Sequence, residues 1–122
     1  MADWAGYADL TLYAALSAFN IGDIATANSL YADALKMWDG VGFADVAFVR
    51  DGRYASYKLA LGLIVANRMR IDAPPGMWDR LLSLQDTNGG FFALYDEDGR
   101  GVNDSNSETS CYALLAMQNP PE

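Results

Sequence analysis

Leu81-Leu82-Ser83-Leu84-Gln85-Asp86-Thr87-Asn88-Gly89-Gly90-Phe91 closes an apolar helical pattern, breaks it with Asn and two glycines, and returns on a phenylalanine. Met37-Trp38-Asp39-Gly40-Val41-Gly42-Phe43 does the same with its Gly-Phe step 48 residues earlier. Asp51-Gly52-Arg53 then recurs as Asp98-Gly99-Arg100, 47 residues on. Each copy leads into a strongly apolar helix, and the second inserts several residues before it. A spacing in this range belongs to stacked helical hairpins rather than to shorter repeats.

Around these strings the apolar spacing predicts an all-α chain of about five helices arranged as antiparallel helical hairpins. The first covers about Tyr7 to Phe19, where Leu12, Ala15, Leu16 and Phe19 fall at three- and four-residue intervals and make one stripe. Leu10, Tyr13 and Ala14 widen that stripe toward full burial. Asn20-Ile21-Gly22-Asp23 ends it, with Asn and Gly suited to the C-cap and Asp23 to the next N-cap. The second helix runs from about Ile24 to Trp38, with Leu30, Ala34, Leu35, Met37 and Trp38 on its buried face. The third runs from about Tyr54 to Met69 and is apolar nearly all round, so most of its sides are expected to be buried. The fourth begins near Pro74-Pro75 and ends at Gln85. The fifth spans about Ser107 to Gln118, with Ser105-x-x-Glu108 in capping-box spacing and Asn119-Pro120-Pro121 as its stop. The first helix reads as the end of a preceding hairpin whose first half is missing.

The chain has 122 residues, which fits one domain, and 52% apolar residues, enough for one core. A net charge of −8 repels phosphate backbones and anionic membrane surfaces, so neither nucleic acid nor a lipid surface is an expected partner. No apolar run approaches the ~20 residues that span a bilayer. No secretory leader is visible, and the single cysteine, Cys111, forbids an internal disulfide, which together point to the cytoplasm. The chain has no histidine. Ser-His-Asp and Cys-His catalysis are thereby excluded, as is any metal site that needs imidazole. No cofactor is expected.

The string Leu81 to Phe91, followed by Glu108-Thr109-Ser110-Cys111-Tyr112-Ala113-Leu114-Leu115, resembles the α/α-toroid repeat of terpenoid cyclases, protein prenyltransferases and several sugar-processing barrels. In that pattern an outer helix ends in Leu-x-x-Leu-Gln, a Gly-Gly-aromatic loop follows, and an inner helix opens with acidic or hydroxyl residues. The resemblance implies that the first, third and fifth helices are inner and the second and fourth outer. It departs from the families in several respects. Trp38 stands where the second copy has Gln85, Asp96-Glu97-Asp98-Gly99 stops short of the cyclase acid motif, and the prenyltransferase zinc histidine is missing. A full toroid has six inner helices and this chain has three. A partial toroid leaves apolar helix sides open, which implies a homodimer or the remainder of a longer chain.

The resemblance further implies that the inner-helix N-termini converge, presenting free N–H groups and partial positive charge. The residues there are Trp4, Tyr7 and Asp9; Tyr54, Tyr57 and Lys58; and Asn106, Glu108 and Thr109. Aromatic faces beside carboxylates suit a sugar. Asp9 and Glu108 are the candidate acid and base of a glycosidase-like pair, and Lys58, isolated on a very apolar helix, is a third catalytic candidate. The bland alternative is that Glu108 caps, Asp9 complements a helix end, the tyrosines pack and Lys58 pairs with an acid. The loop from Asp96 offers a poor calcium match in Asp96, Asp98 and Asp104, because Arg100 occupies a ligand position and Glu108 falls one residue late. Phe43 and Phe91 are expected to plug the gap between outer and inner helices.

Two functions remain open at this point. One is a toroid-like domain that binds or processes a carbohydrate or isoprenoid at its inner-helix starts. The other is a non-catalytic helical scaffold for a protein partner.

Overall fold

The computed structural model describes residues 6–85 and 91–105. Within them lie five helices, α1 (Ala8–Asn20), α2 (Ile24–Leu35), α3 (Val46–Asp51), α4 (Ser56–Met69) and α5 (Met77–Ser83), with three short strands, β1 (Tyr54–Ala55), β2 (Phe92–Tyr95) and β3 (Gly101–Ser105). The fold class is all-α, as the sequence predicts, with a small antiparallel sheet of order β1-β2-β3 added at one side. The expected helix from Ser107 to Gln118 lies outside the described residues.

α1 and α2 form a helical hairpin. The turn is a Schellman motif, in which the Asp23 amide donates to Ala18 O at 2.9 Å and the Gly22 amide to Phe19 O at 3.0 Å. Gly22 takes a φ of 86°, where a side chain would be strained. Asp23 then caps α2 by accepting the Thr26 amide at 3.2 Å. α4 ends in the same way 48 residues later, with Ile71 donating to Ala66 O at 2.9 Å and Arg70 to Asn67 O at 3.1 Å. Here the left-handed position is held by Arg70, with a φ of 57°.

α4 is the most buried element: ten of its fourteen residues are buried, including Leu59, Leu61, Leu63 and Val65. α1 packs along it and presents Leu12, Ala15 and Ala18. At one end of this pair the Tyr57 hydroxyl donates to Asp9 Oδ2. At the other, Arg68 Nη2 donates to Asn20 Oδ1 at 3.5 Å. Start meets start and end meets end, so α1 and α4 run parallel. α2 covers α1 and α5 covers α4, while Tyr31 of α2 reaches across to donate to Gly62 O of α4 at 3.0 Å.

The two Gly-Phe strings close with the same backbone pattern. Antiparallel bridges join Trp38 to Phe43 and Gln85 to Phe91. The Ala44 amide donates to Met37 O at 2.8 Å, and the Phe92 amide to Leu84 O at 3.0 Å. Phe43 and Phe91 are both buried. Gly52 and Gly99 then share the left-handed conformation, with φ of 71° and 81°.

Several boundaries differ from the sequence reading. α2 ends at Leu35 rather than Trp38, because Met37 and Trp38 are drawn into the bridge with Phe43 and Ala44. α5 starts at Met77, after the Pro74-Pro75 pair and a left-handed Gly76, and stops at Ser83. α4 starts at Ser56, because Tyr54 and Ala55 pair with Tyr95 and Leu94 as a strand. Leu10 and Tyr13 are 44% and 39% exposed, so the buried stripe of α1 is narrower than the sequence implied. The segment beginning at Asp96 is a tight turn followed by β3 rather than one long loop.

Candidate functional site

The parallel packing of α1 and α4 brings their N-terminal ends together. Two positive helix ends side by side repel unless negative charge lies between them. Asp45 supplies it. Its Oδ2 accepts the Ala8 amide at 2.8 Å and the Lys58 ammonium at 2.7 Å, while Oδ1 accepts the Phe48 amide at 3.2 Å and so caps α3. The Asp45 and Lys58 side chains are only 1% and 5% exposed. Lys58 thus has an acid for its partner, and its ammonium is a structural cation at the join of three helices.

Asp9 and Tyr57 lie on the outer side of this join, half-buried and bonded to each other. Burial, the hydrogen bond to Asp9 and the Asp9 charge together push the Tyr57 hydroxyl well above its ordinary value, so it remains a donor at neutral pH. Tyr13, one turn after Asp9 on α1, adds a partly exposed ring. Tyr7 is half-buried at the start of α1, where its carbonyl accepts both the amide and the hydroxyl of Thr11.

Tyr54 does not join this group. Its hydroxyl donates to Asp39 Oδ2, and its ring is stacked between Phe48, at 4.2 Å, and Tyr95, at 5.1 Å. Asp39 Oδ1 also accepts the Val41 and Gly42 amides, both at 2.9 Å. Burial raises the Asp39 carboxyl, but these three hydrogen bonds outweigh it and hold the group below its usual range. Tyr95 closes the cluster by donating to Val41 O at 2.7 Å. The Tyr54 and Tyr95 hydroxyls are therefore occupied in holding the first Gly-Phe loop against the sheet.

Trp4, Asn106, Glu108 and Thr109 lie outside the described residues, so the expected acid–base pairing of Asp9 with Glu108 falls there too. Of the calcium candidates, Asp96 Oδ1 accepts the Asp98 and Arg100 amides at 3.0 Å, which makes it the first residue of a tight turn. Those backbone donors, first of all Arg100, hold its carboxyl below the usual range. Among the described residues no three of Asp, Glu and Cys gather in a way that holds a metal.

Beside Asp45 an open groove of about 560 Å³ runs between α3 and the first Gly-Phe loop, lined by Gly6, Met37, Ala44, Val46 and Val49. Val49 is 80% exposed.

The chain matches no protein-family model, no curated protein and no solved structure. Asp45 escaped the sequence reading because its partners lie 37 and 13 residues away. The one signal that pointed to it was Lys58, a charge on an apolar helix that required an acid. Among the described helices, none is long and apolar enough to cross a membrane.

Proposed function

We propose that this chain is a partial α/α-toroid domain that binds a hydroxyl-rich ligand, a carbohydrate, at the shared start of α1 and α4. The observation that carries this reading is the half-buried Tyr57–Asp9 hydrogen bond between the two helix starts. A carboxylate and a phenol side by side accept from and donate to vicinal hydroxyls, and the Tyr13 ring offers an apolar face for a sugar ring. Binding is favoured over processing because Lys58, the one basic candidate, is committed to Asp45. A carbohydrate is favoured over an isoprenoid because the pair is polar.

The toroid architecture draws support from the coincidence of offsets. Asp9 and Tyr57, Asn20 and Arg68, and Gly22 and Arg70 each stand 48 residues apart and play matching roles in α1 and α4. Met37 and Leu84 match at 47. We read these as two copies of one hairpin unit, with α1 and α4 inner and α2 and α5 outer. An open flank on such a unit is covered by a second copy of the chain or by further chain. The single Cys111 fits the reducing cytoplasm.

Calorimetric titration with soluble gluco-, xylo- and manno-oligosaccharides tests the reading. The expected result is saturable binding that Asp9→Asn and Tyr57→Phe each weaken about tenfold or more, the scale of one charge-assisted hydrogen bond. Wild-type protein that binds none of them at millimolar concentration overturns it.

A second reading, a protein-binding scaffold, is favoured by one observation: the groove at Met37, Val46 and Val49 presents exposed valines. Under that reading Val49→Asp abolishes partner binding and Tyr57→Phe leaves it intact.

A further inference from the structure

Asp9 and Tyr57 each have a neighbour in the chain that is bound to the same oxygen. Ala8 precedes Asp9, and its amide donates to Asp45 Oδ2 at 2.8 Å. Lys58 follows Tyr57, and its ammonium donates to the same Oδ2 at 2.7 Å. Asp45 is itself fixed, because its other oxygen caps α3 and the residue is 3% exposed. One carboxylate oxygen therefore sets the separation of the two helix starts, just beneath the pair that faces outward.

We propose that Asp45 is a positioning residue that holds Asp9 and Tyr57 at ligand-binding separation through its shared contacts with Ala8 and Lys58. The proposal rests on the reading of the Asp9–Tyr57 face as a binding site. Its physical basis is independent of the ligand. Two parallel helix starts with like dipole ends are tied here through one shared acceptor, Asp45 Oδ2, and drift apart once the Ala8 amide and residue 58 no longer share it. The Tyr57–Asp9 bond lies at that end and is only half-buried, so water replaces it once the gap widens. The bond at the other end, between Arg68 and Asn20, lies at the far end of both helices and is not subject to this control. The first Gly-Phe loop ends at Phe43, two residues before Asp45, so its bridge to Trp38 places the carboxylate from outside the helix pair.

The test needs no sugar, so its failure is distinct from failure of the binding reading. In isotope-labelled protein, the exchange of the Tyr57 hydroxyl proton is followed by NMR in wild type and in the doubly neutral Asp45→Asn, Lys58→Met variant, with Tyr57→Phe to assign the signal. The double variant removes both charges of the pair, and with them the contact that joins the two helix starts, without stranding a lone lysine. The expected result is exchange about tenfold faster in the double variant, the factor for the loss of one hydrogen bond. Exchange within about twofold of wild type in the folded double variant overturns the proposal. If the double variant does not fold, wild-type protein serves. The Ala8 amide and the Tyr57 hydroxyl then open in a single event, with the same dependence on denaturant. Opening with clearly different denaturant slopes overturns the proposal.

Discussion

Tyr57 and Asp9 occupy the second positions of α4 and α1, and the hydroxyl of one donates to the carboxylate of the other. Residues 48 apart in sequence thus meet at one end of a parallel helix pair, and Arg68 with Asn20 repeats the offset at the other end. Tyr57→Phe removes the donor and leaves a half-buried carboxylate that water reaches. The expected cost in denaturant unfolding is about 1 kcal/mol, the net value of one such bond.

Asp45→Ala has a much larger effect. It strips a helix cap from α3 and leaves the Lys58 ammonium buried without its partner. Breaking a buried pair from one side costs about 3–5 kcal/mol, and this loss is expected in the unfolding midpoint. Asp45→Asn with Lys58→Met avoids the stranded charge. That double variant is expected to cost less than Asp45→Ala, about 1–3 kcal/mol, because its one amide oxygen can accept from Phe48 or from Ala8 but not from both.

Arg70→Gly is expected to stabilise. Arg70 ends α4 at a φ of 57°, the position that Gly22 fills at the end of α1. A left-handed side-chain-bearing residue costs about 1–2 kcal/mol, and the extra unfolded-state freedom of glycine returns part of it. The net gain is about 0.5–1 kcal/mol, a rise of a few degrees in thermal midpoint.

Gly42→Ala tests the first Gly-Phe loop. An added Cβ would overlap the Tyr95 hydroxyl and lie 2.6 Å from the Tyr54 ring. Moving these rings weakens the Tyr95–Val41 and Tyr54–Asp39 bonds, so a loss of about 1–3 kcal/mol is expected by denaturant titration.

Alkali is expected to destabilise the fold more sharply than mild acid. Tyr31, Tyr54, Tyr57 and Tyr95 are all pushed above the ordinary tyrosine value, in each case first by burial. A raised value means that the unfolded chain loses these protons first. Their contribution is complete below about pH 10 and is lost as pH rises beyond it, at up to about 1.4 kcal/mol per pH unit for each group. Asp39 and Asp96 are lowered, so the stability they lend is present above about pH 4 and fades below it. Unfolding midpoints from pH 3 to 11 check both limbs.

The helices were legible where apolar spacing and stop residues agreed. Leu12, Ala15 and Gly22 marked α1, and the crowded Leu59 to Val65 marked α4 as buried all round. α3 was not legible, because six residues carry no clear period and the element depends on Asp45 at one end and a left-handed Gly52 at the other. β1 was not legible because it is two residues long and its partner lies about 40 residues away, whereas the β2–β3 hairpin is local and its signal, Asp98-Gly99 in the turn, lay in the sequence. Asp9, Tyr57 and Lys58 were identified by their place on the helices. Their partners came only from the packing of α4 against α1 and from the place of Asp45 at the start of α3.

Carbohydrate binding at the joined starts of α1 and α4 is open to a direct test. Titration of tyrosine-ring-labelled protein with the oligosaccharide that binds in calorimetry, read by NMR, addresses it residue by residue. The account predicts saturable shifts at the Tyr13 and Tyr57 rings, with Tyr31, Tyr54 and Tyr95 unmoved. Shifts confined to Tyr54 and Tyr95, or to no tyrosine at all, contradict it.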